Sequence, residues 1–257
     1  METRFRQTMK QLYGLIGCPL GHSLSADYFT RKFAAMSELD GCAYELFELE
    51  SADELRQLLT AHPNLRGLNV TIPHKRAVIP LLDRISSEAE RIGAVNSIKV
   101  EADGTLTGHN TDYIGFGASL TDFLLGATPR ALVLGTGGAS RAVCTWLADH
   151  GIEYQRVSHS GQGELSYDDL TPEVVESHKL IINATPLGMS PRVDESPLLP
   201  YDSIGAEHYL FDLIYNPNPT KFLMLGARRG ARVMGGMEMF RLQAEASWAI
   251  WSGDSDR

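Results

Sequence analysis

Residues 130–151, RALVLGTGGASRAVCTWLADHG, constrain the fold more than any other stretch of the chain. Residues 131–134 form a short apolar run bounded by Pro129 and by glycines, the pattern of a buried strand. Gly135, Gly137 and Gly138 make a tight turn. Ala142, Val143, Trp146 and Leu147 then share one helical stripe over 139–149, and Gly151 stands where a helix C-terminal glycine belongs. Strand, glycine turn and helix form the phosphate-binding corner of a dinucleotide fold. There the backbone approaches a pyrophosphate, and the helix start presents N–H groups and the positive end of its dipole. The loop reads G-x-G-G-A-S rather than G-x-G-x-x-G, so on its own it also fits a structural turn of another α/β protein.

The rest of the chain supports an α/β reading. At 257 residues there is room for one large domain or two small ones. A net charge of -9 argues against nucleic-acid or anionic-membrane surfaces, which want basic patches. No apolar run approaches the roughly 18 residues of a spanning helix. The N-terminal METRFRQTMK lacks the apolar core of a signal peptide. Cys18, Cys42 and Cys144 are odd in number and show no C-x-x-C spacing, which suits a reducing compartment. A soluble, cytoplasmic chain is expected.

In order, strands are expected at 12–17, 44–49 and 67–72, with a hairpin over 94–108 turning at Asp103-Gly104. Helices are expected from about Ser25, from the Ser51/Glu54 capping box, and over 75–83. This alternation predicts a mostly parallel sheet. The polar break at 109–112 places a domain boundary after Asp112, followed by a connecting helix over 113–125. The second half continues with strands at 131–134, 153–158, 179–183, 209–213 and 231–234. Its helices are expected at 139–149, between 166 and 177, and from Asn218-Pro219 to Gly230. A last helix, 239–251, carries Phe240, Ala244, Trp248 and Trp251 on one face, and it is expected to return to the first domain.

Four polar clusters stand at strand ends in the first half: His22 to Ser25, Asn69 to Lys75, Asn96-Ser97 and Asn110 to Asp112. In an open α/β sheet those ends form the ligand crevice. Hydroxyls and amides with one lysine and one aspartate suit a small polyhydroxylated acid. Each cluster alone is equally a set of turn and cap residues. The eight histidines include no pair at metal-ligand spacing, and a G-x-S-x-G nucleophile elbow is absent.

With these clusters assembled, the chain resembles the shikimate dehydrogenase family along almost its whole length. The family's G-x-P-x-x-H-S-x-S stands at 17–25, N-V-T-x-P-x-K at 69–75, G-A-V-N at 93–96 and N-T-D at 110–112. G-x-G-G-A-S stands at 135–140, N-A-T-P-x-G-M at 183–189 and D-L-I-Y-N-P at 212–217, with the last helix's glutamine at Gln243. The resemblance implies an open α/β substrate domain (1–112 with 237–257) and a Rossmann-like dinucleotide-binding domain (113–236). It implies reversible NADP-dependent reduction of 3-dehydroshikimate to shikimate, by a monomer or homodimer. Ser23 and Ser25 would hold the carboxylate with Tyr215. Asn69, Thr71, Asn96, Asp112 and Gln243 would reach the ring, and Lys75 and Asp112 would be the catalytic pair. Gly135, Thr136, Gly137, Gly138 and Ala139 would take the pyrophosphate, with Leu213 and Gly236 near the nicotinamide.

Three departures stand out. Ala26 replaces the usual proline after the second serine, and Gly236-Met237-Glu238-Met239 replaces G-L-G-M. Ser158-His159-Ser160 replaces the N-R-T that binds the 2′-phosphate in NADP-preferring members. An NAD-preferring quinate/shikimate dehydrogenase is therefore the first alternative, although no acidic residue stands there to take ribose hydroxyls. A non-catalytic shikimate or nucleotide sensor is the second, although both Lys75 and Asp112 are present.

Overall fold

The computed structural model describes residues 11–21, 23–159 and 161–253. His22 of the first motif and Ser160 of the expected cofactor set lie outside them. The chain divides into two compact units, one running up to Thr111 and resuming at Ala246, the other spanning Asp112 to Glu245.

The first unit is built on a six-stranded mixed sheet. Its strands are β1 (Gln11–Gly17), β2 (Cys42–Glu48), β3 (Leu65–Val70), β4 (Arg84–Ile85), β5 (Ser97–Val100) and β6 (Leu106–His109), in the order β2-β1-β3-β5-β6-β4. Pairs β1/β2, β1/β3 and β4/β6 are parallel; β3/β5 and β5/β6 are antiparallel. The sheet is more mixed than the alternation predicts, because the β5–β6 hairpin inserts beside β3. Helices α1 (Ser25–Ala35), α2 (Leu55–Ala61) and α3 (Ser87–Ile92) lie between strands. The Ser51 capping box is present, with the Ser51 hydroxyl accepting from Asp53 N–H and Glu54 accepting from Ser51 N–H. It opens a 3₁₀ turn at Ala52–Glu54 that runs into α2.

The helix expected over 75–83 does not form. The segment is a series of turns ending in a 3₁₀ turn at Ile79–Leu81. Its interior bonds are short turn bonds, such as Ile79 N–H to Arg76 and Leu81 N–H to Val78, while its ends bond outside: Val95 N–H donates to the Lys75 carbonyl, and Asp83 N–H donates to that of Leu106. Pro80 also lacks the N–H that a helix there would donate to the Arg76 carbonyl.

The second unit has five strands, all parallel: β7 (Ala131–Leu134), β8 (Tyr154–Val157), β9 (Leu180–Asn183), β10 (Tyr209–Asp212) and β11 (Arg232–Met234). Their order, β11-β10-β9-β7-β8, reverses direction between β7 and β9, a topological switch point of the kind where doubly wound sheets bind ligands. All four residues of β7 and of β9 are buried, as a parallel strand covered on both faces should be. Between strands run α5 (Gly138–Asp149), α6 (Pro172–Ser177) and α7 (Lys221–Arg228), the last two capped by Thr171 and Thr220.

Two helices carry the chain from one unit to the other: α4 (Thr111–Leu124) and α8 (Met237–Ser252). The division in α8 falls between Glu245 and Ala246, later than the expected 236/237. The reason is what each half touches. Met239 belongs to the core of the second unit and Phe240 packs on Tyr215, whereas Trp248 and Trp251 join Tyr13, Phe29 and Phe33 in the first.

Candidate functional site

In the first unit, the polar clusters gather at one end of the sheet. Antiparallel pairing sets Asn69 of β3 opposite Ser97 of β5, and Ser97 opposite His109 of β6. The starts and ends of these strands therefore meet. The segment after β3 is tied back to β1, since Thr71 N–H donates to the Ile16 carbonyl and Cys18 N–H to that of Ile72. His74 is buried with its Nε2 at 2.7 Å from the Leu49 carbonyl, which fixes the turn bearing half-buried Lys75. After β1, the Ser23 hydroxyl accepts from Ser25 N–H at 3.2 Å. The cap position of α1 is Leu24, with no side-chain cap, so Ser25 begins the helix rather than capping it. An accepting Ser23 oxygen keeps its own proton to donate, which suits an anionic ligand.

Behind these residues lies a buried hydrogen-bond chain. Tyr44 donates to Asn69 Oδ1 at 2.8 Å, and Asn69 Nδ2 donates to Ser247 Oγ at 2.9 Å and to the Asn96 carbonyl at 3.4 Å. Ser247 Oγ is 3.1 Å from Thr111 Oγ1, and Asn96 Oδ1 accepts from Thr111 N–H at 2.6 Å. Asn69 and Asn96 are thus brought together, with both ends of the Asn69 amide engaged by protein. Tyr44 and Ser247 carried no sequence signal for this role; Ser247 lies 178 residues from its partner Asn69. His109 beside the chain has its pKa lowered, first by burial.

Asp112 is buried in the first turn of α4, where a carboxylate favours the helix dipole, and it belongs with the second unit. Gln243 belongs there too. A Cβ on Gly115 of α4 would stand 2.7 Å from the Met239 carbonyl and 2.8 Å from Gln243 N, so the glycine allows the helix approach that places Gln243.

The loop after β7 fits a pyrophosphate. Gly135 has φ +105°, a conformation that disfavours side chains, and a Cβ on Gly137 would meet nothing within 4 Å. Thr136, Gly138 and Ala139 complete the turn into α5, whose start carries no capping side chain and no acidic residue that would repel an anion. Ser140 instead donates back to the Gly135 carbonyl at 2.6 Å, holding the turn.

At the end of β8, Ser158 is buried and His159 stacks on Tyr167 with ring centroids 4.1 Å apart. Arg156 is committed to Glu164, whose carboxylate takes bonds from the Arg156 guanidinium and backbone N–H. Beyond β10, Leu213 and Tyr215 are half-buried, and Tyr215 packs on Phe240 at 4.8 Å. Gly236 donates to the Ile214 carbonyl at 3.0 Å, and a Cβ there would run into the carbonyl of Leu213.

No helix among the described residues is long and apolar enough to cross a membrane. Among the same residues, no group of three His, Cys, Asp or Glu side chains could hold a metal ion.

Residues 15–98 match the family model of the shikimate dehydrogenase substrate binding domain. The NADP(+) shikimate dehydrogenase of Clostridium beijerinckii is 42% identical over 252 residues, covering 94% of this chain and 92% of its own. The shikimate 5-dehydrogenase of Thermus thermophilus, solved with NADP(H) and shikimate, superposes with a TM-score of 0.81 at 31% identity. That match covers 95% of this chain and 94% of that one. The quinate dehydrogenase of Corynebacterium glutamicum, solved with NAD, gives 0.82 at 28% identity over 95% and 94% of the two chains. At such identity over nearly the full length, the chain belongs to the shikimate dehydrogenase family.

Proposed function

We propose that this chain is an NADP-dependent shikimate dehydrogenase that reversibly reduces 3-dehydroshikimate to shikimate. The observation carrying the reading is the set of strand-end side chains in the first unit, Asn69 and Asn96 hydrogen-bonded together beside the Lys75 turn. Such a set suits a ring bearing several hydroxyls and one carboxylate. Ser23 and Ser25 hold the carboxylate, aided by Tyr215. Thr71, Asn69, Asn96 and Gln243 orient the ring. The glycine turn at 135–139 takes the pyrophosphate, Ser158 and His159 border the adenosine ribose, and Leu213 and Gly236 face the nicotinamide.

The bound cofactor supplies or accepts the hydride. When hydride reaches the ketone carbon, the carbonyl oxygen becomes basic and needs a proton at once. Lys75 as ammonium donates it; in the reverse direction neutral Lys75 removes the hydroxyl proton. Asp112 anchors the hydroxyl beside the reacting carbon. Lys75→Ala is expected to lower kcat by roughly 10²–10⁴ with a much smaller change in KM. If the folded variant keeps kcat within a few-fold of the parent, Lys75 is not the proton carrier. Steady-state assay of shikimate and quinate, each with NADP and NAD, tests the substrate and cofactor together. A preference for quinate with NAD would overturn the reading.

A further inference from the structure

The second unit buries a carboxylate that this chemistry does not use. Asp212, the last residue of β10, is fully buried, and no cation pairs with it among the described residues. Its three neighbours are all donors. Oδ1 accepts from Asn183 Nδ2 at 3.1 Å and from Ile214 N–H at 3.0 Å, and Oδ2 accepts from the Thr220 hydroxyl at 2.6 Å. A carboxylate is acceptor-only, whereas an amide in its place would turn an NH₂ toward one of those donors. Burial pushes the Asp212 pKa up to about 6 despite the three bonds. The fold thus carries an unpaired buried charge, an arrangement that weakens a protein unless something else requires it.

Each donor belongs to a different part of the sheet's ligand end. Asn183 closes β9, and its own Oδ1 accepts from the Thr185 N–H and hydroxyl. Ile214 lies between Leu213 and Tyr215, and its carbonyl accepts from Gly236 after β11. Thr220 caps α7, accepting from Leu223 N–H. One carboxylate therefore binds both the start and the end of the loop 214–220. The pyrophosphate turn is held separately, through Gly135 N–H to the Val157 carbonyl and Ser140 to that of Gly135.

We propose that Asp212 is a positioning residue, whose carboxylate fixes residues 213–215 against the nicotinamide and the substrate carboxylate without touching either. This rests on the roles assigned above to Leu213 and Tyr215. The experiment compares the affinities of NADP and of 2′-phospho-ADP-ribose, the same molecule without its nicotinamide, in the parent, Asp212→Asn and Thr220→Val. Losing a hydrogen bond to a charged group is expected to weaken NADP and raise the shikimate KM by roughly tenfold or more in Asp212→Asn, and by less in Thr220→Val. The fragment's affinity should stay within about twofold in both, because its binding turn is held by other bonds.

Equal weakening of NADP and the fragment would overturn the proposal, since that is general loss of the unit. Unchanged NADP affinity and shikimate KM would overturn it as well. If Asp212→Asn does not fold, Thr220→Val decides between the same outcomes. Failure of the parent to turn over shikimate would count against the proposed function alone, because the two affinities need no turnover.

Discussion

Replacing Trp251 tests how the end of α8 is held. The indole is 6% exposed and stacks on Tyr13 with centroids 5.3 Å apart. Phe29 stands 5.4 Å away, and a Cβ on Gly67 would be 2.5 Å from the indole. Trp251→Ala removes the centre of this cluster and should cost about 3–5 kcal/mol. Trp251→Phe is a different case. The indole Nε1 is buried with no hydrogen-bond partner among the described residues, an unmade bond costing about 1–3 kcal/mol in the parent. Phenylalanine removes that donor and sacrifices only the extra ring atoms, at about 0.8 kcal/mol per buried methylene equivalent. The two terms nearly cancel, so Trp251→Phe should lie within about 1 kcal/mol of the parent. Urea unfolding followed by circular dichroism measures both variants, with the slope checked because two compact units need not unfold as one. If phenylalanine is as damaging as alanine, the N–H is bonded and the reasoning fails.

Ser23→Ala removes the hydroxyl that accepts from Ser25 and should raise the shikimate KM roughly 10- to 100-fold with little change in kcat; an unchanged KM would remove Ser23 from the carboxylate site. Gly236→Ala drives a methyl group into the Leu213 carbonyl, so NADP affinity should fall while 2′-phospho-ADP-ribose binding holds, and calorimetry with both ligands decides. His109, His178 and His208 have their pKa values lowered, first by burial, so the fold favours their neutral forms. Their contribution is full above the ordinary value of about 6.5 and is lost as pH falls below it, because the unfolded chain takes up protons first. Asp212 acts with the opposite sign: its pKa is raised to about 6, so the fold gains stability as pH falls from there toward the unfolded value. His208→Gln should therefore flatten the decline of Tm between pH 6.5 and about 5; an unchanged slope would show that His208 does not titrate on unfolding.

The parts legible in the sequence are those whose cause is local. The Ser51/Glu54 capping box needs only four consecutive residues, and both of its bonds form. The turn after β7 is set by Gly135, and α5 ends with Gly151 at φ +67°, as its glycine announces. In residues 75–83, Val78, Ile79, Leu81 and Leu82 mimic a helical stripe, but Pro80 withholds a helical donor and the ends of the segment bond to distant Val95 and Leu106. β4 and α3 were too short to read by periodicity, although the Ser86 cap and Gly93 at φ +67° mark both ends of α3. The division of α8 was not legible either, because one apolar stripe serves a different core at each end.

The motif residues themselves were easier to find than to assign. Asn69 reads from sequence as a ring contact, yet its Oδ1 accepts from Tyr44 and its Nδ2 donates to Ser247. Substituting it would remove the Asn69 bonds of both buried hydroxyls, although Ser247 keeps its contact with Thr111, at about 1 kcal/mol for each bond lost. A loss of shikimate affinity in Asn69→Ala would therefore mix contact with misplacement of Asn96 and Thr111, and its size could not be credited to the ring. Thr111→Val separates the two. It removes the hydroxyl between Ser247 and Asn96 while leaving Asn69 in place. If Asn69 acts mainly by holding Asn96, Thr111→Val should raise the shikimate KM by less than Asn69→Ala, since the Thr111 N–H and the direct Asn69 bond to Asn96 remain, and the double variant should go little beyond Asn69→Ala. If the effects of the two changes simply add, Asn69 binds the ring on its own account.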